Sequence, residues 1–503
     1  MLIGGSTTAE AGRAVRPTRS LRPGRLGGAA VAYFVTLLFL LWPFTVNGGP
    51  FYMEDSTSYL RGGALGFHTG LLILDNWWQS LFGAPAVHQT GADPRAVVTV
   101  LISQSGGVRS LIYSVVTYIL RGPYDALVPL VVVQTAAVAL VISFLKRLVD
   151  PDGGVMTAVL VAAGAAFLTS APWYAAYAVP DILAGVMIAG AVALTVLFER
   201  TTLAIRSTLV LLVAFCMTTH GSHLPLGLCV LVAGASANFW LHRNSPERRL
   251  KRLVWFSSPF VLAVAALLGT SYFAFGQASL SPKRYPILLA RSVADGPGAW
   301  YLREHCATER YAICEVFGPN PPRKVGDFLW SKGGVRYRAS SEQMERIRAE
   351  ESVIVRRAAF EYPVEQFRRS AGNGLNQLVK FGPQGLIFGV KLVGGEDPTL
   401  VQVRADRPLL RNIAEVAIYI GFAASIMLLL VFRGRLTRVE IAAVGVATVG
   451  LIANAAICGA LSGVTDRYQG RVAWVLPVLA MIILLRALCE RRPVATSRKV
   501  ALA

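Results

Sequence analysis

Runs of about 18 or more apolar residues, each flanked by basic ones, recur along the whole chain. That recurrence leaves one fold class, an all-α polytopic membrane protein. The balance of residues agrees. Over 503 residues the chain is 54% hydrophobic and only 16% charged, where a soluble globular protein is roughly one quarter charged. The net charge of +20 does not point to nucleic acid. The arginines gather in short segments between apolar runs, where the positive-inside tendency puts them, and no basic stretch carries the aromatic interleaving of a nucleic-acid groove.

Arg13, Arg16, Arg19, Arg22 and Arg25 precede an apolar run from Ala29 to Thr45. The run is long for a signal-peptide core and no small-x-small cleavage pattern follows, so it reads as a retained first span. With the N-terminus inside, spans are expected at 29–46, 123–145, 154–171, 182–198, 207–219, 224–241, 254–273, 410–432, 440–460 and 472–488. Even-numbered exits must then meet basic residues. They do, at Lys146-Arg147, Glu199-Arg200, Arg243 to Arg252, Arg433 to Arg438 and Arg491-Arg492. The expectation is therefore about ten transmembrane helices with both termini cytoplasmic. The fifth span is the shortest of them.

This threading divides the chain into a basic tail (1–28), spans one to seven (29–273), an external region (274–409), spans eight to ten (410–488) and a second tail (489–503). The first external loop, 47–122, holds the acidic pair Glu54-Asp55 and then semi-apolar stretches around Gly70 to Trp78 and Val108 to Leu120. These suit helices lying in the interface. The region 274–409, between spans seven and eight, is polar and large enough for a small domain. It is expected to be mostly helical, with an amphipathic helix from Ser341 to Arg369 broken at Pro363.

The residues able to do chemistry fall on one face. Glu54, Asp55 and Tyr59 lie in the first loop, Asp181 between spans three and four, and His220 and His223 between five and six. Lys283 and Arg284 open the large loop, and Asp466, Arg467 and Arg471 lie between spans nine and ten. Each group has more than one reading. Carboxylates beside a bilayer are costly to desolvate, yet an acidic pair also suits a solvated turn. Asp181 after Pro180 is a good helix N-cap. His220 and His223 suit metal ligation, proton carriage or interfacial capping. Asp466 and Arg467 can pair with each other, which leaves Arg471 in need of an anion such as a headgroup or phosphate. Lys283-Arg284 is also an ordinary surface pair. The spacing of Cys306 and Cys314 permits a disulfide, which an exported compartment allows.

An acidic motif in the first external loop, an Asp-x-x-x-Tyr run from Asp55 to Tyr59, interfacial helices and a large later external region together form a pattern. So does Arg109-Ser110-Leu111-Ile112-Tyr113, which is similar to the second interfacial helix of bacterial members. The pattern resembles the clan C glycosyltransferases, polytopic enzymes that use polyprenyl-phosphate sugars. One departure is clear: Trp77-Trp78 is preceded, not followed, by an acid, so no subfamily is assigned.

The resemblance implies sugar transfer from a lipid-linked donor to an acceptor hydroxyl on the periplasmic face of a bacterial inner membrane, with inversion. The acceptor can be a glycan, a lipid or a protein. Asp55 would be the base with Glu54 orienting it, and Glu54 and Asp55 could also bind a divalent cation (Mg or Mn), which the chemistry does not demand. Arg467 and Arg471 would hold the phosphate, seconded by Lys283 and Arg284. Asp181, His220, His223 and Tyr59 would complete the substrate site. The alternative is a transporter or flippase of a lipid-linked or anionic substrate. Against it, the spans are nearly free of charge apart from Glu415 and show no Gly/Pro-interrupted pairs.

Overall fold

The computed structural model describes residues 23–82, 109–149, 154–244, 246–394 and 398–489. The basic residues Arg13 to Arg22 and Arg491-Arg492, with both tails' orientation, lie outside the described residues. Eight helices among the described residues are long and apolar enough to cross a membrane. They are Ala30–Asn47, Val128–Arg147, Pro180–Leu197, His223–Leu241, Arg249–Phe275, Pro408–Val431, Arg438–Leu461 and Asp466–Leu488. At the other two expected positions stand shorter apolar helices, Val155–Phe167 and Leu203–Thr218. The chain is an all-α polytopic membrane protein.

Pro180–Leu197 is the hub, because its whole window is buried. Small residues let its neighbours close in. A Cβ at Gly185 would stand 2.3 Å from Trp474 Nε1, so only glycine admits the helix that carries the last span. The two ends of this hub differ. Asp181 stands at its start, while Glu199, just past Leu197, pairs with Arg252 at 2.9 Å and Arg248 at 3.0 Å. Fifteen residues of helix separate them, or roughly 22 Å at 1.5 Å per residue. Glu440, in a capping box with Thr437, meets Arg486 at 2.7 Å at the start of Arg438–Leu461. Arg248, Arg252 and Arg486 are thus anchored at the end of the bundle away from Asp181.

Both semi-apolar stretches of the first loop fall on helices. Glu54 begins a single 29-residue helix, Glu54–Phe82, and Trp77 and Trp78 fall on its last turns, where side chains lie outside the described residues. It packs across Leu111–Ile119 at Gly63, where any Cβ would strike the carbonyl oxygen of Ser114 at 2.0 Å.

The region after Arg249–Phe275 folds around its own apolar centre, which includes Leu289, Leu302, Ile313, Phe328, Ile347 and Ile354. Ser340 caps helix Ser341–Glu361 through a capping box with Gln343, and the chain then breaks at Tyr362 before Pro363–Leu378. The proline lacks the N–H that an uninterrupted helix needs. A hairpin follows, Val390–Val393 antiparallel to Thr399–Gln402. Cys306 and Cys314 are disulfide-bonded.

Candidate functional site

The site is built by four short pieces of chain that meet at one end of the hub. Met53 leads into the helix whose first turn carries Glu54 and Asp55. Ser110 accepts from Tyr113 N (3.2 Å) to cap Leu111–Ile119, and its hydroxyl donates to the Thr218 carbonyl at 2.6 Å. Those two bonds fix Arg109, the residue before. Pro180–Ile182 forms a 3-10 turn that supplies Asp181, and Asp466–Ala473 supplies Arg467 and Arg471.

Together they make a ladder of alternating charge. Arg109 Nη2 donates to Asp55 Oδ1 at 2.5 Å, and Arg467 Nη1 donates to Asp55 Oδ2 at 2.9 Å. Arg467 also grips Asp181, Nε to Oδ1 at 3.0 Å and Nη2 to Oδ2 at 2.9 Å. Arg471 Nη1 completes the row, 3.5 Å from Asp181 Oδ1. Asp181 and Arg471 are fully buried. Charges taken that far from water must be paired, which the ladder provides, although Asp181 Oδ2 has only an ion-pair contact and Arg471 Nε has no hydrogen-bond partner among the described residues. Three guanidiniums face two carboxylates, so the row carries one positive charge in excess.

The far end of the ladder is tied to His220 through Ser222. Arg471 Nη2 donates to Ser222 Oγ (2.8 Å), Asn454 Oδ1 (3.0 Å) and Cys458 Sγ (3.2 Å). Ser222 in turn bonds His220 Nδ1, through Oγ at 2.9 Å and through its backbone N–H at 3.2 Å. An Nδ1 that accepts a backbone N–H places the imidazole proton on Nε2. Burial and the Arg471 guanidinium hold the His220 imidazole well below its ordinary pKa, so it stays neutral. His223 is turned inward, its Nδ1 donating to the Cys216 carbonyl at 2.9 Å, with Thr219 Oγ1 at 3.0 Å.

A cavity of about 430 Å³ opens beside this network. Its polar rim holds Arg109, Ser110, His220, Ser222, Arg284 and Tyr59, and its walls are apolar, with Leu111, Leu224, Leu267 and Leu461 among them. A second cavity of about 360 Å³, almost purely apolar, shares Leu111 and Thr270 with it and continues between Gly70 and Phe273. A cavity with charged groups beside a second, apolar one suits an amphiphile.

The expected residues divide into those the ladder gathers and those it does not. Asp55, Asp181, Arg467 and Arg471 join it, and His220 and Tyr59 line the cavity. Asp181 makes no side-chain cap for its helix, so the N-cap reading gives way to arginine binding. Arg467 turns away from Asp466, whose Oδ1 accepts from Gly382 N (3.3 Å), and Arg471 already has protein partners. Glu54 is exposed, outside the ladder. Lys283 goes to Glu345 at 2.6 Å, away from the cavity, whereas Arg284 lines the cavity while held by Glu351 at 3.1 Å. Sequence reasoning assigned no role to Arg109, Ser222 or Asn454. The available signal for Arg109 was its place in the same loop as the acidic pair, directly before an apolar helix. The acidic pair does not suit a divalent cation, because both Asp55 oxygens already face guanidiniums and Glu54 stands apart. No step below is drawn through a metal.

A helical multi-pass membrane protein with a buried arginine-carboxylate ladder is the class that fold and site define. No family model, curated protein or solved structure matches the chain.

Proposed function

We propose that this chain is a membrane glycosyltransferase that moves a sugar from a polyprenyl-phosphate donor to an acceptor hydroxyl, with Asp55 as base. The observation that carries the reading is the double position of Arg109. It lies on the cavity rim and, at 2.5 Å, on Asp55 Oδ1. A donor phosphate entering the cavity competes for this guanidinium, whose planar fork matches phosphate oxygens. The excess positive charge of the ladder favours such an anion, and the adjacent apolar cavity suits its lipid tail.

Once the phosphate holds Arg109, Asp55 Oδ1 loses its partner and can accept the proton of an acceptor hydroxyl. The acceptor oxygen bonds to the anomeric carbon and the carbon–oxygen bond to phosphate breaks. Its electron pair leaves with polyprenyl phosphate, where Arg109 stabilises the charge, and the proton passes to Asp55. Attack from the face opposite the leaving group inverts the anomeric carbon. The neutral His220 offers Nε2–H as a donor to a substrate oxygen. In this reading the periplasmic face of a bacterial inner membrane carries the site.

Transfer from polyprenyl-phosphate sugars by purified Asp55→Asn tests the proposal. A loss of at least about 100-fold is expected for removal of a general base. Full activity in a folded variant removes Asp55 from the chemistry. A second reading, transport of a lipid-linked or anionic substrate, is favoured by one observation. Asp181 and Arg471 are fully buried within span windows, as coupling charges in transporters are. Flux of labelled polyprenyl-phosphate sugar across proteoliposomes without acceptor separates the two.

A further inference from the structure

Helix Pro363–Leu378 and its flanks carry an apolar stripe that no described part of the chain covers. Phe360, Val364, Phe367, Leu375 and Val379 are between 61% and 79% exposed. Val364, Phe367, Leu375 and Val379, spaced three, eight and four, keep to one broad face of the helix, and Phe360 precedes the break at Tyr362. A stripe of this size on a soluble face would be an aggregation hazard, so its surroundings decide its meaning.

The other edge of the helix is held against membrane spans. Asn373 and Gly374 meet the late turns of Arg438–Leu461, where a Cβ at Gly459 would come within 2.6 Å of the Asn373 carbonyl oxygen. Just past the helix, Tyr419 donates its hydroxyl to the Val379 carbonyl at 2.8 Å, and its ring lies 4.2 Å from that of Phe381. Tyr419 is eleven residues into the span Pro408–Val431, roughly 16 Å along its axis. On either side of it the span exposes Leu409, Ile413, Val416 and Ile420, a face with lipid as its natural neighbour. The Val379 end of the helical stripe meets this span at Tyr419. Exposed Arg368, Arg369 and Lys380 lie near the stripe, and such side chains can lay apolar stems along a lipid-facing surface while their charged heads reach toward phosphates.

We propose that the Phe360–Val379 stripe is sunk into the bilayer on the ladder's side of the membrane, with acyl chains as its occupant. The inference rests on the membrane fold alone and not on the reaction. It gives the helix a positioning role. Buried Gln377 donates to the Thr465 carbonyl at 2.7 Å and accepts from Thr465 N–H at 2.9 Å. Thr465 directly precedes the helix that carries Arg467 and Arg471. The lipid-seated helix therefore holds the arginine segment by two hydrogen bonds.

The test uses the full chain in nanodiscs of phosphatidylcholine and phosphatidylglycerol. Phe367→Cys and, as control, Glu342→Cys are labelled with an environment-sensitive fluorophore in a Cys229→Ser, Cys489→Ser background. Both positions are exposed, so neither variant is expected to misfold. The label at 367 should emit at shorter wavelength than that at 342 and lose intensity when doxyl-phosphatidylcholine replaces ordinary lipid. Water-like emission at 367 with no doxyl quenching overturns the proposal. So does a disulfide-linked dimer through position 367 with no doxyl quenching, which makes the stripe a contact between two copies.

Discussion

Arg467 clamps Asp181 through two parallel contacts, Nε to Oδ1 at 3.0 Å and Nη2 to Oδ2 at 2.9 Å, while its remaining nitrogen reaches Asp55. One planar fork thereby fixes two carboxylates from distant parts of the chain. A lysine has one point of charge and cannot hold both.

Asp181→Ala should be the most damaging single change at the ladder. It leaves Arg467 and Arg471 buried with too little counter-charge, and breaking a buried pair costs about 3–5 kcal/mol. Thermal unfolding of the detergent-purified protein should show a clearly lowered midpoint. Arg467→Lys should fall between this variant and the parent. A midpoint unchanged in Asp181→Ala would mean that the pair contributes nothing to folding.

Arg109→Ala should act on binding rather than on stability. Its side chain is 29% exposed, so its loss uncovers little apolar surface. Removing one charged hydrogen-bond donor from a phosphate costs ~2 kcal/mol, roughly thirtyfold in affinity. Titration with a polyprenyl phosphate, read by intrinsic fluorescence, measures this. Equal affinity in parent and variant would take Arg109 out of the anion site.

Stability should fall in mild acid through His220. Burial and the neighbouring Arg471 depress its pKa, so the unfolded chain binds the proton more readily than the folded one. The contribution is fully present above about pH 6.5 and is lost progressively as the pH drops below it. Melting midpoints measured from pH 8 to pH 5 should decline, and His220→Asn should flatten that decline. A parallel decline in both proteins would assign the effect to other groups.

Reduction of the Cys306–Cys314 bridge should loosen the region between the two groups of spans without touching the ladder. The cysteines are eight residues apart, and closing so short a loop is worth about 2–3 kcal/mol. The double Cys306→Ser, Cys314→Ser variant should melt earlier, and reductant should no longer shift its midpoint.

What could be read in advance was local. Apolar length marks each span position, because a lipid-crossing segment must satisfy its own backbone, and Pro363 marks its helix break by the N–H it lacks. Val155–Phe167 and Leu203–Thr218 show the limit of that signal, since short helices coincide with windows that look like spans. The ladder is not local. Arg467 is 412 residues from Asp55 and 286 from Asp181, and nothing in either neighbourhood names the partner. A one-sided threading could gather the candidates but could not choose among them. It passed over Arg109, whose meaning depends on a serine cap and a carbonyl at Thr218, and it joined Glu54 to a pair that the fold separates.

The order of synthesis gives the ladder one more meaning. Asp181 is made, and its helix enters the membrane, long before Arg467 and Arg471 exist. Until the C-terminal hairpin arrives, that carboxylate has neither guanidinium, and it must wait either protonated or at the water boundary. Insertion of the last two spans is therefore the step that commits the hub to its depth. A chain stalled before Asp466 would hold every wall of the cavity contributed by earlier spans, yet leave Asp181 unanchored, a form that membrane quality control can recognise.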